Sequence, residues 1–94
     1  MVLFKFDGKY LKDRTGKRIA EVDRNYIKDS RGQRVGEIDR HYVKDSRGQR
    51  LIEFDGQYIK DNRGQRIGTH DDVLKLIDGP GGMTLIALWV LFAR

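Results

Sequence analysis

The residues able to do chemistry in this chain are few, and they do not converge. His70 stands directly beside two carboxylates, in His70-Asp71-Asp72. A metal site needs three or four ligands that meet in space, and adjacent residues rarely supply them. The triplet therefore reads as the end of a strand and the cap of a helix. Ser30 and Ser46 recur sixteen residues apart, but no histidine recurs with them, so a hydrolytic triad has no support. Gly79-Pro80-Gly81-Gly82 lacks the Lys and Ser/Thr of a phosphate-cradling loop. Asp13, Asp29, Asp45 and Asp61 suggest calcium at first sight, yet the neighbouring loop position holds an arginine in three copies. They are better explained as residues that open turns. The expectation is no catalysis, no metal and no cofactor.

The basic residues are more informative. The chain has 19 Lys and Arg against 14 Asp and Glu, a formal net charge of +5. Thirteen of those nineteen fall in or beside four glycine-containing segments, around Gly16, Gly32, Gly48 and Gly64. Arg14, Arg18, Arg31, Arg34, Arg47, Arg50, Arg63 and Arg66 are the candidate residues for an anionic surface. Glu21, Glu37 and Glu53 are expected nearer the opposite rim, which would polarise the molecule along its axis.

What positions these groups is a repeat. Asp7, Asp23, Asp39 and Asp55 lie sixteen residues apart, as do Tyr10, Tyr26, Tyr42 and Tyr58, and the four glycines. The units are 7–22, 23–38, 39–54 and 55–70. Sixteen residues are too few for a helical repeat. They suit two strands of about 5 residues and two tight turns. In Asp29-Ser30-Arg31-Gly32 the opening Asp and closing Gly predict a type I turn followed by a left-handed residue. The second turn is Asp-Gly in two copies and Asp-Arg in the others, where Asn25 or His41 is expected to take the left-handed conformation.

If Asp29 faces Gln33, an unbroken register sets Ile27 against Val35 and Tyr26 against Gly36. One face then carries the pairs Leu11/Ile19, Ile27/Val35, Val43/Leu51 and Ile59/Ile67 as the core. On the other face each tyrosine covers Ala20, Gly36, Ile52 or Gly68, a structural role for the rings. Leu3-Phe4-Lys5-Phe6-Asp7 aligns with Ile19-Ala20-Glu21-Val22-Asp23. Residues 2–6 are thus expected to complete the ring at the far end, removing its exposed edges. The predicted fold is all-β: a pseudo-fourfold shallow β-barrel of four hairpin repeats over 1–70, with helical elements over 71–94.

Beyond Gly68 the pattern fails, because His70 stands where Val22, Ile38 and Phe54 stand in the other copies. Thr69 or Asp71 caps a short helix through Ile77, stopped by Asp78-Gly79-Pro80. Met83 to Ala93 is then apolar apart from Thr84. As a helix it is roughly 16 Å long, too short to span a bilayer. A helix apolar on every side must be buried on every side. Leu85, Ile86, Leu88, Trp89, Leu91 and Phe92 are expected to plug the barrel or cover its mouth. The alternatives are an interfacial membrane anchor and a self-association helix.

The segment Tyr26 to Ile38, recurring in phase four times, resembles the bacterial β-flower proteins, whose hairpins radiate as petals around a shallow barrel. The likeness covers about residues 3–70 and implies a fold, with no activity to carry over. A looser likeness, on the tail alone, is to Tubby-like and scramblase-like barrels, which implies membrane or phosphoinositide association by fold analogy.

One domain of 94 residues, 38% hydrophobic and 35% charged, fits an ordered but polar protein. It has no cysteine, and Met1 to Phe6 lacks the pattern of a signal peptide. The expectation is a cytoplasmic, non-enzymatic binding module that docks on lipid headgroups or an acidic protein, peripherally at the inner membrane face. A structural or self-assembling scaffold is the alternative. Nucleic acid is less favoured, because the tyrosines sit mid-strand rather than as stacking platforms.

Overall fold

A computed structural model describes residues 2–93. Nine antiparallel strands come first: β1 (Phe4–Phe6), β2 (Tyr10–Asp13), β3 (Arg18–Asp23), β4 (Tyr26–Asp29), β5 (Arg34–Asp39), β6 (Tyr42–Asp45), β7 (Arg50–Phe54), β8 (Tyr58–Asp61) and β9 (Arg66–Thr69). Helix α1 (His70–Leu76), the two-residue strand β10 (Ile77–Asp78) and helix α2 (Met83–Leu88) follow, and α2 runs on into a π-helical turn, Trp89–Ala93. The hairpin-repeat, mostly β architecture expected from the sixteen-residue period is what forms.

The glycine-containing turns follow from their sequence. Gly32 has φ +83°, a conformation that favours glycine. The Asp29 carboxylate accepts from the Arg31 and Gln33 amides at 2.9 and 3.0 Å. The same contacts recur at Asp45 and Asp61. These aspartates therefore close turns, as read from the sequence.

The register departs from the expected one. In every hairpin a β-bulge puts Ile19, Val35, Leu51 and Ile67 out of pairing. Leu11 faces Ala20 and Ile27 faces Gly36, while Tyr10 faces Glu21 and Tyr26 faces Glu37. The one-residue slip sends the second half of each long strand to the other face. The reason is two successive apolar residues, such as Ile19-Ala20, that both avoid water. The four aliphatic pairs and the tyrosine-over-glycine pairs expected from an unbroken ladder are thus replaced. Leu11, Ile27, Val43 and Ile59 are fully buried, with Ala20 and Ile52 beside them, while Ile19, Val35, Leu51 and Ile67 are half-buried against that core.

The second turn also differs from expectation. Arg24 and Arg40, with φ of +58° and +57°, take the left-handed conformation rather than Asn25 or His41. Gly8 and Gly56 hold the same places in the other two copies, at +104° and +101°.

Nor does strand pairing close the ring. The sheet runs β10-β1-β2-β3-β4-β5-β6-β7-β8-β9 and has two ends. The segment over 2–6 aligns with the repeat as expected, since Phe6 faces Leu11 as Val22 faces Ile27. Its other edge, however, takes β10 in parallel, Phe4 beside Ile77. Helix α1 packs on both β9 and β10 and so bridges the gap. Thr69 starts that helix with a reciprocal capping box, its hydroxyl accepting from the Asp72 amide and the Asp72 carboxylate from the Thr69 amide. Once this cap forms, the chain leaves β9 before it can pair further.

The apolar tail lies inside. Leu85, Ile86, Ala87 and Leu88 are fully buried and Trp89 nearly so, in one cluster with Leu11, Ile27, Val43 and Ile59. Burying each such aliphatic side chain contributes about 1.5–3 kcal/mol. Leu91 and Phe92 are half-buried against the same cluster. Gly36 and Gly68, two repeats apart, make room for it: a Cβ there would stand 2.7 Å from Leu91 Cδ1 and 2.8 Å from Trp89 Cη2. The tail, and not the tyrosines, covers these glycines.

Candidate functional site

The basic residues divide into two chemical classes. The lysines of the repeat, Lys12, Lys28, Lys44 and Lys60, pair with Asp7, Asp23, Asp39 and Asp55 at 3.7, 3.3, 2.8 and 3.2 Å. Their charge is balanced within the hairpin. Among the described residues, Arg18, Arg31, Arg34, Arg47, Arg50, Arg63 and Arg66 make no ion pair with a carboxylate. Their guanidinium groups are left to meet a partner.

Four of the arginines are held in place. The Arg18, Arg34 and Arg50 guanidinium carbons lie 3.9 Å from the ring centroids of Tyr10, Tyr26 and Tyr42, and Arg66 lies 4.0 Å from Tyr58. Each pair spans one hairpin on its outer face, where the tyrosine is half-buried and the arginine exposed. Such stacking is worth about 0.5–1 kcal/mol at an exposed site, and it orients the planar donor fork. The tyrosine and arginine share a face in either register, and the bulge brings the glutamate to that face opposite the tyrosine. The other candidates, Arg14, Arg31, Arg47 and Arg63, are exposed at the hairpin tips.

The stacks border grooves between consecutive hairpins, and the grooves repeat with the sequence. One is lined by Tyr10, Arg18, Glu21 and the Asp29–Gly32 turn. The next has Tyr26, Arg34, Glu37 and the turn at Asp45. A third has Tyr42, Arg50, Glu53 and the turn at Asp61. Glu21, Glu37 and Glu53 therefore line the same grooves as Arg18, Arg34 and Arg50. The slip at the bulge turned them to this face.

Several carboxylates in the turns are strongly held as anions. Amide donation from Tyr10 and Lys9 keeps Asp7 below the usual carboxylate range. Amide donation from Tyr58 and Gln57, with Lys60 beside it, brings Asp55 down to about 2. The Thr15 hydroxyl does the same for Asp13 and the Lys44 ammonium for Asp39. These shifts reflect turn closure.

The histidines have local partners. His41 is exposed, 3.9 Å from Glu53 and stacked near Tyr42. His70 Nε2 accepts from the Gly82 amide at 3.0 Å, tying the start of α1 to the start of α2. No group of three or more His, Asp or Glu able to hold a metal occurs among the described residues. No described helix is long and apolar enough to cross a membrane.

Sequence reasoning missed the Tyr–Arg stacks. Their signal was present: an arginine follows every repeat tyrosine by eight residues. The second signal was the apolar residue followed by a further apolar residue or a glycine after each arginine, which breaks the period-two alternation and marks a bulge.

No family model, curated protein or solved structure matches this chain.

Proposed function

We propose that this protein is a non-catalytic binding module that docks on an anionic surface, lipid headgroups or an acidic partner, through the arginines of its hairpins. The observation that carries the reading is the partition of charge. Lys12, Lys28, Lys44 and Lys60 are consumed by internal pairs, while seven repeat arginines make no ion pair with a carboxylate among the described residues. Four arginines are also oriented by tyrosine rings at 3.9–4.0 Å. A pre-oriented guanidinium loses less freedom on meeting a phosphate or carboxylate. The β-flower resemblance belongs with this reading, since four like petals present four like contacts. On a lipid target the protein works peripherally, at the inner face of a membrane. With Leu85 to Trp89 in the core, the tail is not the docking element.

The test is vesicle flotation with and without phosphatidylserine, using wild type and a triple variant, Arg31→Glu, Arg47→Glu and Arg63→Glu. The backbone amides of these residues close the turns, so the fold does not depend on their side chains. Each basic residue near an anionic surface contributes about 1 kcal/mol. Loss of three lowers binding on the order of a hundredfold, and raised salt does likewise. Equal recovery on neutral vesicles, or undiminished binding by the triple variant, would overturn the lipid reading. Binding of polyglutamate but not vesicles would assign the surface to an acidic protein.

A further inference from the structure

The three Tyr–Arg grooves have a fourth counterpart that has diverged from them. Subtracting sixteen from the groove at Arg18, Ala20, Glu21 and Asp29 gives Val2, Phe4, Lys5 and Asp13. Those residues line a groove of about 570 Å³, together with Leu3, Lys12 and Arg14. It is larger than its three counterparts, at about 350, 180 and 90 Å³. The equivalence is structural as well as numerical, since Phe4 faces Asp13 as Ala20 faces Asp29.

Every departure from the repeat in this groove points in one chemical direction. The arginine becomes Val2, which is 41% exposed. The position of Ala20, Gly36 and Ile52 becomes Phe4, and the glutamate becomes Lys5. No tyrosine is among the residues lining it. The formal charge of the lining changes accordingly. Arg34 against Glu37 and Asp45 leaves −1, and Arg50 against Glu53 and Asp61 leaves −1. Arg18 and Arg31 balance Glu21 and Asp29. In the fourth groove Lys12 is balanced by Asp7 at 3.7 Å, and Lys5 and Arg14 against Asp13 leave +1. The Asp13 carboxylate is moreover occupied, accepting from the Thr15 amide, the Thr15 hydroxyl and the Lys17 amide at 2.9, 2.6 and 3.0 Å.

An apolar floor with a cationic edge, in the size range of small-molecule sites, matches a molecule with one apolar chain and one anionic end. We propose that this groove binds a free long-chain carboxylate, a fatty acid, with its chain along Val2, Leu3 and Phe4 and its carboxylate at Lys5. The apolar contact supplies affinity and the Lys5 ammonium sets the polarity of binding. Arg31, Arg47 and Arg63, the arginines replaced in the vesicle test, do not line this groove, so the site stands or falls independently of docking to vesicles.

The test is titration of the whole chain with monomeric laurate, dodecanol and dodecylamine, read by isothermal calorimetry and by ligand-induced rise in melting temperature. Laurate is expected to bind at least tenfold more tightly than dodecanol, and dodecylamine more weakly still. The decisive variant is Val2→Arg with Lys5→Glu, which restores the residues that the other three copies carry and is therefore expected to fold. It should lose laurate binding tenfold or more while keeping the wild-type circular dichroism and melting temperature. Lys5→Glu alone provides a second reading, with laurate weakened and dodecanol unchanged. Absence of laurate binding by wild type, equal affinity for the three ligands, or undiminished laurate binding by Lys5→Glu would overturn the proposal.

Discussion

The edge of the Trp89 ring fills the space in which Gly68 would carry a side chain: a Cβ on Gly68 would stand 2.8 Å from Trp89 Cη2 and 3.3 Å from Asp72 Oδ2. The last apolar segment of the chain is thereby keyed to the last hairpin and to the helix that bridges the open sheet. Gly68→Ala should destabilise the protein by about 1–3 kcal/mol, as overpacking of a closed core does. Gly36→Ala should destabilise as well, since a Cβ there would stand 2.7 Å from the flexible end of Leu91 and 3.1 Å from the backbone oxygen of Lys44. Urea unfolding of the two variants measures both effects. Equal stability of wild type and Gly68→Ala would contradict the packing described.

Arg24 and Arg40 hold a left-handed backbone that Gly8 and Gly56 hold in the other repeats. A non-glycine residue in that region carries strain of about 1–3 kcal/mol, offset in a glycine variant by about 0.5–1 kcal/mol of added freedom in the unfolded chain. Arg24→Gly and Arg40→Gly should therefore each raise stability, by about 1 kcal/mol. Denaturation midpoints of the single and double variants test this, and the two gains should add because the sites are far apart in the chain.

Acid should weaken the fold in a defined window. Asp55 has its pKa lowered from 3.8 to about 2, and Asp7, Asp13, Asp39 and Asp72 are lowered as well. A carboxylate depressed in the folded state stabilises it above the unfolded pKa, and that contribution disappears as pH falls through the folded value. Stability should be flat above about pH 5 and decline between about pH 4 and 2. Asp55→Asn keeps an acceptor for the Gln57 and Tyr58 amides but has no charge to lose. Its stability at neutral pH should be lower and its decline in acid shallower.

The Tyr26–Arg34 stack should be measurable as a coupling. A double-mutant cycle with Tyr26→Leu and Arg34→Met should return about 0.5–1 kcal/mol, the range for exposed cation–π pairs. Additive losses would mean that the ring and the guanidinium contribute separately.

Removing the tail should remove the core. A chain ending at Gly82 leaves Leu11, Ile27, Val43 and Ile59 without the residues they pack against. Near-ultraviolet circular dichroism should be lost and a hydrophobic dye should bind, the marks of a compact state without fixed packing. Retention of a sharp thermal transition would show that the sheet folds alone.

The sequence by itself determined the hairpins, because turn formation is local. An aspartate carboxylate reaching the amides two and four residues ahead, and a glycine at positive φ, are complete within five residues. The cap at Thr69 was legible for the same reason, as was the need to bury Met83 to Ala93, which follows from composition alone. Tertiary structure decided what depends on residues distant in the chain. Whether Gly36 faces a tyrosine or the tail depends on a bulge, and the bulge depends on Ile19, Val35, Leu51 and Ile67 finding apolar neighbours across the molecule. The failure of β9 and β1 to pair was decided by α1 and β10, which occupy the gap. The grooves are a consequence of both: Arg34, Glu37 and Tyr26 could be placed on one face only after the slip was known, since one residue of register reverses every side chain that follows it.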